Sequence, residues 1–193
     1  MATRTDTPEL IADDTIQNIV RAAMMAALIG ALSYVSFPFP VSPVPITLQV
    51  LGVFLAGLLL GPVWGGGAVI LYLTAGAMGA PVFSMGNAGI GIIVGERGGF
   101  LLAFPVAAAV IGYLVHGGSE VDSSRFENTP RLVVAMVVGV AIIYAGGVTG
   151  LMIVLSLSLW EAFVMGALVF LPAEGAKLLA AIGIVRADRL SAV

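Results

Sequence analysis

Glu174 and Lys177 stand three residues apart in an otherwise apolar stretch near the end of the chain, FLPAEGAKLLAA. On a helix, this spacing places both side chains on one face. An unpaired charge inside a bilayer costs at least ~2.5 kcal/mol, so each group needs a partner. Two interpretations follow: an internal ion pair, or a ligand site at the outer end of the helix. The ligand site is favoured because Pro172 breaks the chain there and places the acid at the positive end of a helix dipole.

Asn87 and Arg97 add polar chemistry to a glycine-rich stretch that covers residues 79–99. The amide of Asn87 offers both a donor and an acceptor, and the guanidinium of Arg97 can bind a carboxylate with two hydrogen bonds. The alternative for Arg97 is an ion pair with Glu96 at the membrane surface. With the pair on the last helix, the set comprises one carboxylate, one amide and two cations. Such a set suits a small acid that carries a polar ring.

Other chemistries lack the residues that they need. The chain has no cysteine, and His116 is its only histidine, so we expect no transition-metal site and no cofactor. No nucleophile–base pair is apparent, and no phosphate-binding G-x-x-x-x-G-K-[ST] motif occurs. The net charge is −3 and no basic stripe is present, which argues against nucleic acid as a partner. We therefore predict a binding protein without catalytic residues, whose energy for any uphill transport comes from a partner or an ion gradient.

The charge distribution predicts that lipid surrounds the chain. Only 10% of the residues are charged, against roughly 25% in soluble domains, and none lies between Arg21 and Glu96. A spanning helix needs about 20 apolar residues. We predict an all-α integral membrane protein with six transmembrane helices, at residues 19–36, 46–60, 64–78, 100–115, 131–155 and 172–186.

Three connecting segments interrupt this helical pattern. The prolines between residues 38 and 45 favour an extended loop. The glycines of residues 79–99 suit a folded ligand loop between helices 3 and 4. Ser158 and Glu161 have the spacing of a capping box, which predicts a short helix before the last span. A single kinked helix over residues 158–186 is the alternative.

An even number of spans places both termini on the same side of the membrane. Six arginines fall on that side and one on the other, which predicts cytoplasmic termini in a cell-membrane protein. The predicted organisation is a cytoplasmic tail over residues 1–18, a membrane domain over 19–187 and a second cytoplasmic tail over 188–193. The six arginines are Arg4, Arg21, Arg125, Arg131, Arg186 and Arg189.

The first predicted helix carries two ridges of small residues. A spacing of four places Ala22, Ala26 and Gly30 on one face, and Ala23, Ala27 and Ala31 on a neighbouring face. Small residues let membrane helices approach closely. The ridges can pack inside this chain, or one can receive a separate membrane subunit.

Several aromatic residues lie near the ends of predicted spans. Tyr34, Trp64, Tyr72 and Trp160 occupy such positions. Interfacial tyrosines and tryptophans are common at this depth. We interpret all four as part of the aromatic belt.

Three segments of the chain resemble one known family. PVPITLQVLGVFLAGLLLGPVWGGGAVILYLTAGAMGAPVF, GIGIIVGERGGFLLAF and FLPAEGAKLLAA are similar to segments of the BioY family, over about residues 19–186. This family is the biotin-specific substrate-binding (S) subunit of energy-coupling-factor (ECF) transporters. The resemblance implies a subunit that captures biotin from outside and docks on a transmembrane coupling subunit driven by two cytoplasmic ATPases. The alternatives are a binding subunit for a different small vitamin, or a structural or channel protein.

The resemblance also implies roles for particular residues. The acid and the lysine of the family's last helix correspond to Glu174 and Lys177, and its loop asparagine to Asn87. The acid is usually aspartate, so the carboxylate here reaches one methylene further. GERGGF stands where GPTGGY or GPTGGF is more usual, which makes Arg97 a departure from the pattern. The small residues that dock the coupling subunit correspond to Ala22, Ala23, Ala26 and Ala27.

Biotin has a carboxylate tail, a ureido ring with two N–H donors, and apolar parts between them. Lys177 or Arg97 can neutralise the tail. Glu174 and Asn87 can bind the ureido group. Apolar walls are expected from four residues of the first and third loops: Val44, Ile46, Leu48 and Phe83.

Overall fold

The computed structural model describes residues 13–118 and 121–191, and helices dominate this part of the chain. Residues 1–12 of the predicted N-terminal tail, with Arg4, and residues 192–193 of the C-terminal tail lie outside the described residues. The principal elements, in chain order, are α1 (Asp13–Ser33), β1 (Ser36–Phe37), β2 (Ile46–Thr47), α2 (Gln49–Ala77), α3 (Ile90–Val94), α4 (Gly98–His116), α5 (Thr129–Leu155), α6 (Leu159–Gly166) and α7 (Leu171–Ser191).

Five helical segments of the described chain are long and apolar enough to cross a membrane. They are Asp14–Ser33, Gln49–Ala77, Gly98–His116, Thr129–Leu155 and Leu159–Ala187. The predicted spans 46–60 and 64–78 both overlap the second segment, with residues 46–48 and 78 outside it, and the predicted span 172–186 falls within the last. The chain is thus a helical, multi-pass membrane protein, while the count of six crossings stays a prediction.

The α2 segment is a helical hairpin rather than one rod. Gly61 has φ 73° and ψ −173°, a conformation that favours glycine, and Pro62 follows it. Gln49 and Tyr72 would be about 35 Å apart on a straight helix, yet their side chains are hydrogen-bonded. The two arms therefore fold back on each other. The predicted helix break at Gly61-Pro62 is confirmed.

Small residues let this hairpin pack closely on its neighbours. A Cβ added to Gly112 of α4 would lie 2.5 Å from backbone atoms of Gly61 and Pro62 at the hairpin tip. A Cβ on Gly57 would lie 2.5 Å from the Ala108 carbonyl oxygen. Because lipid is as apolar as the core, such close approach, rather than the hydrophobic effect, holds membrane helices together. The hairpin thus lies between α1 and α4, and α4 in turn packs on α5.

The ends of several elements differ from the sequence predictions. Helix α1 begins at Asp13, so residues 13–18, predicted as tail, are helical. The proline-rich segment is a loop with turns and bends at residues 40–41 and 43–44, so the prediction of an extended conformation does not hold there. Two short strands that were not foreseen flank it: Ser36 pairs with Thr47, and Phe37 with Ile46. Local propensity does not show this pairing, because its partners are separated by the proline loop.

Residues 159–191 contain a short helix and a long one, as predicted, and not the single kinked helix that was the alternative. Ser158 and Glu161 form the predicted capping box at the start of α6. A 3₁₀ turn, Leu168–Phe170, then separates α6 from α7. The single kinked helix is therefore not what forms, and Pro172 lies in the first turn of α7, where no helical hydrogen bond needs its missing N–H.

The other end of the bundle is basic and tied together by side chains. Arg131 donates from Nε to the Leu114 carbonyl oxygen at 2.6 Å, and Arg186 of α7 hydrogen-bonds to Thr129 at the start of α5. His116 Nε2 lies 2.8 Å from the Leu58 carbonyl oxygen. These bonds connect α2, α4, α5 and α7 at the end opposite to the start of α7.

Candidate ligand-binding site

A cavity lies at the end of the bundle where α7 begins. Its enclosed volume is about 50 Å³, below the ~300–1,000 Å³ typical of small-molecule sites, and its mouth is open. The proline loop, the glycine-rich loop and helices α4, α5 and α7 all contribute to its wall. Phe83, Arg97, Phe100, Tyr144, Glu174 and Lys177 are among the residues that line it.

Glu174 and Lys177 form an ion pair inside this cavity. Lys177 Nζ lies 2.5 Å from Glu174 Oε1, and the two residues are only 5% and 6% exposed. Their spacing on α7 places them on one face, as predicted. The other carboxylate oxygen, Oε2, is buried and has no hydrogen-bond partner. A buried acceptor without a partner costs about 1–3 kcal/mol, so this atom is ready to accept a hydrogen bond.

Tyr144 of α5 presents a second unpartnered polar atom to the same cavity. Its buried hydroxyl lies close to the Glu174 carboxylate but makes no hydrogen bond of good distance and angle. The ring stacks on Phe170, with centroids 6.4 Å apart, and meets the edge of Phe100 at 6.3 Å. Tyr144 was not among the site residues predicted from the sequence. The available signal was its position midway along a predicted span, where a hydroxyl needs a partner.

Arg97 points from the glycine-rich loop into the cavity wall. Its Nη1 lies 3.2 Å from Ser84 Oγ and 3.3 Å from the Ser84 carbonyl oxygen. The alternative of a surface pair with Glu96 is not the arrangement that the structure shows. A guanidinium has five N–H donors, so Arg97 retains donors for an anion.

Asn87 takes a different position from the other three predicted site residues. Its Nδ2 donates to the Ser84 carbonyl oxygen at 2.7 Å, and its backbone forms a bridge with Phe83. The side chain thus stabilises the glycine-rich loop and is not among the residues that line the cavity. Direct contact between Asn87 and a ligand stays a prediction.

The apolar wall includes most of the residues expected for it. Val44, Ile46 and Phe83 line the cavity, whereas Leu48 does not. Thr47 and Gln49 line it instead, because the turn from β2 into α2 directs these polar side chains inward.

A buried polar network connects Thr47 and Gln49 of this wall with Tyr72. Thr47 Oγ1 donates to Gln49 Oε1 at 3.1 Å, and Gln49 Nε2 donates to the Tyr72 hydroxyl. Tyr72 is 1% exposed, so its assignment to the aromatic belt was wrong. The fold-back at Gly61 is the physical reason, since it turns the second arm of α2 toward the cavity.

The two ridges of α1 have different environments, and neither lines the cavity. Ala22 and Ala26 are buried in the core of the chain, whereas Ala23 and Ala27 are exposed. The exposed ridge continues through Ala31. A separate subunit therefore finds Ala23 and Ala27 accessible, and Ala22 and Ala26 already covered.

The site is equipped for binding. Among residues 13–118 and 121–191, no three His, Asp or Glu side chains are grouped so as to hold a metal ion. The cavity combines aromatic walls, two cations and two unpartnered polar oxygens. Such a site can hold a mostly apolar molecule that has N–H donors at one end and an anionic group at the other.

Comparison with known proteins gives one consistent family. A family model described as the BioY family matches residues 3–192. A biotin transporter BioY from Rhizobium etli is 36% identical over 170 residues, which cover 83% of this chain and 87% of that protein. A biotin transporter BioY from Rhodobacter capsulatus is 37% identical over 166 residues, covering 76% and 80% of the two chains. One from Thermotoga maritima is 38% identical over 133 residues, covering 69% and 73%.

Two solved structures share the architecture. The S-component for biotin from an ECF-type ABC transporter has a TM-score of 0.81 and 27% identity, with 93% of this chain and 94% of that chain covered. The S component of a bacterial ECF transporter has a TM-score of 0.53 and 16% identity, with 92% and 96% covered, which shows the fold alone.

Proposed function

The chain belongs to the BioY family, and from this we propose that it captures biotin for an ECF transporter. It is a multi-pass membrane protein and a component of a transporter, not an enzyme. The relatives at 36–38% identity are biotin transporters, which favours biotin over another vitamin and over a channel.

One observation carries the proposal: the buried pair of Glu174 and Lys177 opens onto an aromatic cavity. An ion pair that only stabilised the helix in the bundle would not require a cavity beside it. The unpartnered Oε2 atom of Glu174 suits a ureido N–H donor. Lys177 keeps further N–H donors beyond the one bound to Glu174, and Arg97 is available for the carboxylate tail of biotin.

The position of the basic residues supports capture from outside. Arg186 lies about 22 Å along α7 from Leu171, and Arg131 and Arg125 lie near that same end of the bundle. Because basic residues concentrate on the cytoplasmic side, the cavity at the opposite end faces outside.

The test neutralises the pair without leaving a lone charge. Lys177→Ala alone would strand a buried carboxylate, and breaking such a pair typically costs about 3–5 kcal/mol. The double variant Glu174→Gln, Lys177→Met keeps the volume and removes both charges. We expect it to fold and to lose biotin binding, measured by calorimetry in detergent.

A matched control has the same spacing at the other end of the molecule. Asp122 and Arg125 also form an ion pair three residues apart, at 2.8 Å, but on an exposed loop. The double variant Asp122→Asn, Arg125→Met should bind biotin as the unchanged protein does. Unchanged affinity in the Glu174 and Lys177 double variant would refute the proposed site.

We further propose that the chain docks on a transmembrane coupling subunit that works with two cytoplasmic ATPases. The exposed ridge of Ala23, Ala27 and Ala31 supports this, because small residues allow a foreign helix to approach closely. The ridge lies away from the cavity, so one chain can hold its ligand and its partner together.

A further inference from the structure

Tyr144 belongs to no motif. Its hydroxyl is nevertheless one of three buried polar side-chain atoms that have no hydrogen-bond partner among the described residues. Another such atom, Glu174 Oε2, faces the same cavity. The Tyr144 hydroxyl and the Glu174 carboxylate lie close enough to interact, but no hydrogen bond of good distance and angle joins them. The cavity thus contains a carboxylate oxygen and a hydroxyl near one another, and each can still form a hydrogen bond with a ligand.

This arrangement matches one kind of ligand edge. A cyclic urea carries an N–H donor beside a carbonyl acceptor. The ionised carboxylate of Glu174 can only accept, so it takes the N–H. A tyrosine hydroxyl can donate, so it serves the carbonyl oxygen. Occupation by such an edge would satisfy both orphaned atoms at once.

We propose that Tyr144 is a specificity-determining ligand contact, whose hydroxyl donates to the ureido carbonyl oxygen while Glu174 accepts from the adjacent N–H. The inference rests on the proposed function, since it takes biotin as the ligand. The aromatic contacts hold the hydroxyl in place: the ring is stacked on Phe170 and edge-on to Phe100. These contacts do not depend on the hydroxyl.

The experiment removes one oxygen from the protein and one from the ligand. Tyr144→Phe keeps the ring and its stacking. The 2-thio analogue of biotin keeps both N–H donors and replaces the carbonyl oxygen by sulfur, a poor acceptor. Affinities for biotin and for this analogue are measured by calorimetry in detergent for the unchanged protein and the variant. Tyr113→Phe is the matched control, because Tyr113 is exposed on α4.

The unchanged protein should bind biotin about tenfold more tightly than the analogue. Tyr144→Phe should weaken biotin binding by about tenfold and leave the affinity for the analogue within about twofold. Tyr113→Phe should change neither affinity.

The possible failures are distinguishable. If the unchanged protein does not bind biotin, the proposed function itself fails. If it binds biotin and the variant binds it equally well, only the role of Tyr144 fails. Equal weakening of both ligands would also overturn the inference, since the hydroxyl would then act elsewhere than on the carbonyl. If the variant does not fold, equal affinity of the unchanged protein for the two ligands decides against the inference.

Discussion

At the scale of single residues, the charged groups of the cavity come from two different elements. Glu174 and Lys177 are held by α7, whereas Arg97 is held by Ser84 in the glycine-rich loop. The pair on α7 suits the uncharged ureido ring, because its charges already compensate each other. Within the described part of the chain, the hydrogen bonds of Arg97 go to Ser84 and to no carboxylate, so its charge suits the anionic tail of biotin.

We therefore expect Arg97→Gln to act on the tail alone. The variant should bind biotin about tenfold more weakly, because a charge-assisted hydrogen bond is lost. Its affinity for biotin methyl ester, which lacks the anionic charge, should stay within about twofold of the unchanged protein. Calorimetry with both ligands makes the comparison. An equal loss for acid and ester would show that Arg97 supports the loop and does not bind the tail.

The residues of the site differ in how far sequence could predict them. Glu174 and Lys177 were predictable because their geometry is local: a spacing of three on a helix fixes their relation. Tyr144 was missed because its place in the site is set by contacts with Phe100, Phe170 and Glu174, which come from other parts of the chain. Asn87 has the right chemistry for a ligand contact, but a hydrogen bond to Ser84 within its own loop occupies its amide nitrogen.

At the scale of elements, glycines set the positions of the aromatic rings that line the cavity. Gly147 of α5 lies directly behind Phe100, where an added Cβ would come within 2.1 Å of the ring. Gly76 of α2 supports Phe83 in the same way, at 2.2 Å. The missing side chains leave room for the rings to lie back against the helices, which keeps the cavity open.

Gly147→Ala should push the Phe100 ring into the cavity. Overpacking of this kind typically costs about 1–3 kcal/mol, and the cavity that Phe100 lines offers the ring space to move into. We expect biotin affinity to fall by about tenfold or more. Gly183→Ala on α7 is the control, because a Cβ there meets nothing within 4 Å. Comparable affinities of the two variants would contradict this account of the wall.

The elements themselves were largely predictable, with one class of exception. The break at Gly61-Pro62 and the capping box at Ser158 are written in local sequence, so both were foreseen. The pairing of β1 with β2 was not, because it depends on how the proline loop closes. The buried position of Tyr72 was also hidden, since a hydropathy pattern does not show that two neighbouring helices fold back to share a polar network.

At the scale of the whole molecule, the cavity and the exposed alanine ridge lie on different surfaces. Ala27 and Ala26 are neighbours in the chain but face opposite environments: Ala27 is exposed and Ala26 is buried. This contrast gives a direct test of the docking surface. Because Ala26 is buried, a bulky residue at that position tests the packing of the core and not the docking surface.

Ala27→Trp should prevent co-purification with the coupling subunit and leave biotin affinity unchanged, since its side chain projects away from the core. Ala26→Trp should lower the thermal stability of the isolated protein, because the core has no room for an indole there. Co-purification and thermal unfolding are measured on both variants. Intact assembly of Ala27→Trp would show that the partner binds elsewhere.

The internal pairing of Glu174 with Lys177 also bears on how the protein is made. A newly synthesised chain carries both compensating charges on one helix, so its insertion into the bilayer does not wait for cargo.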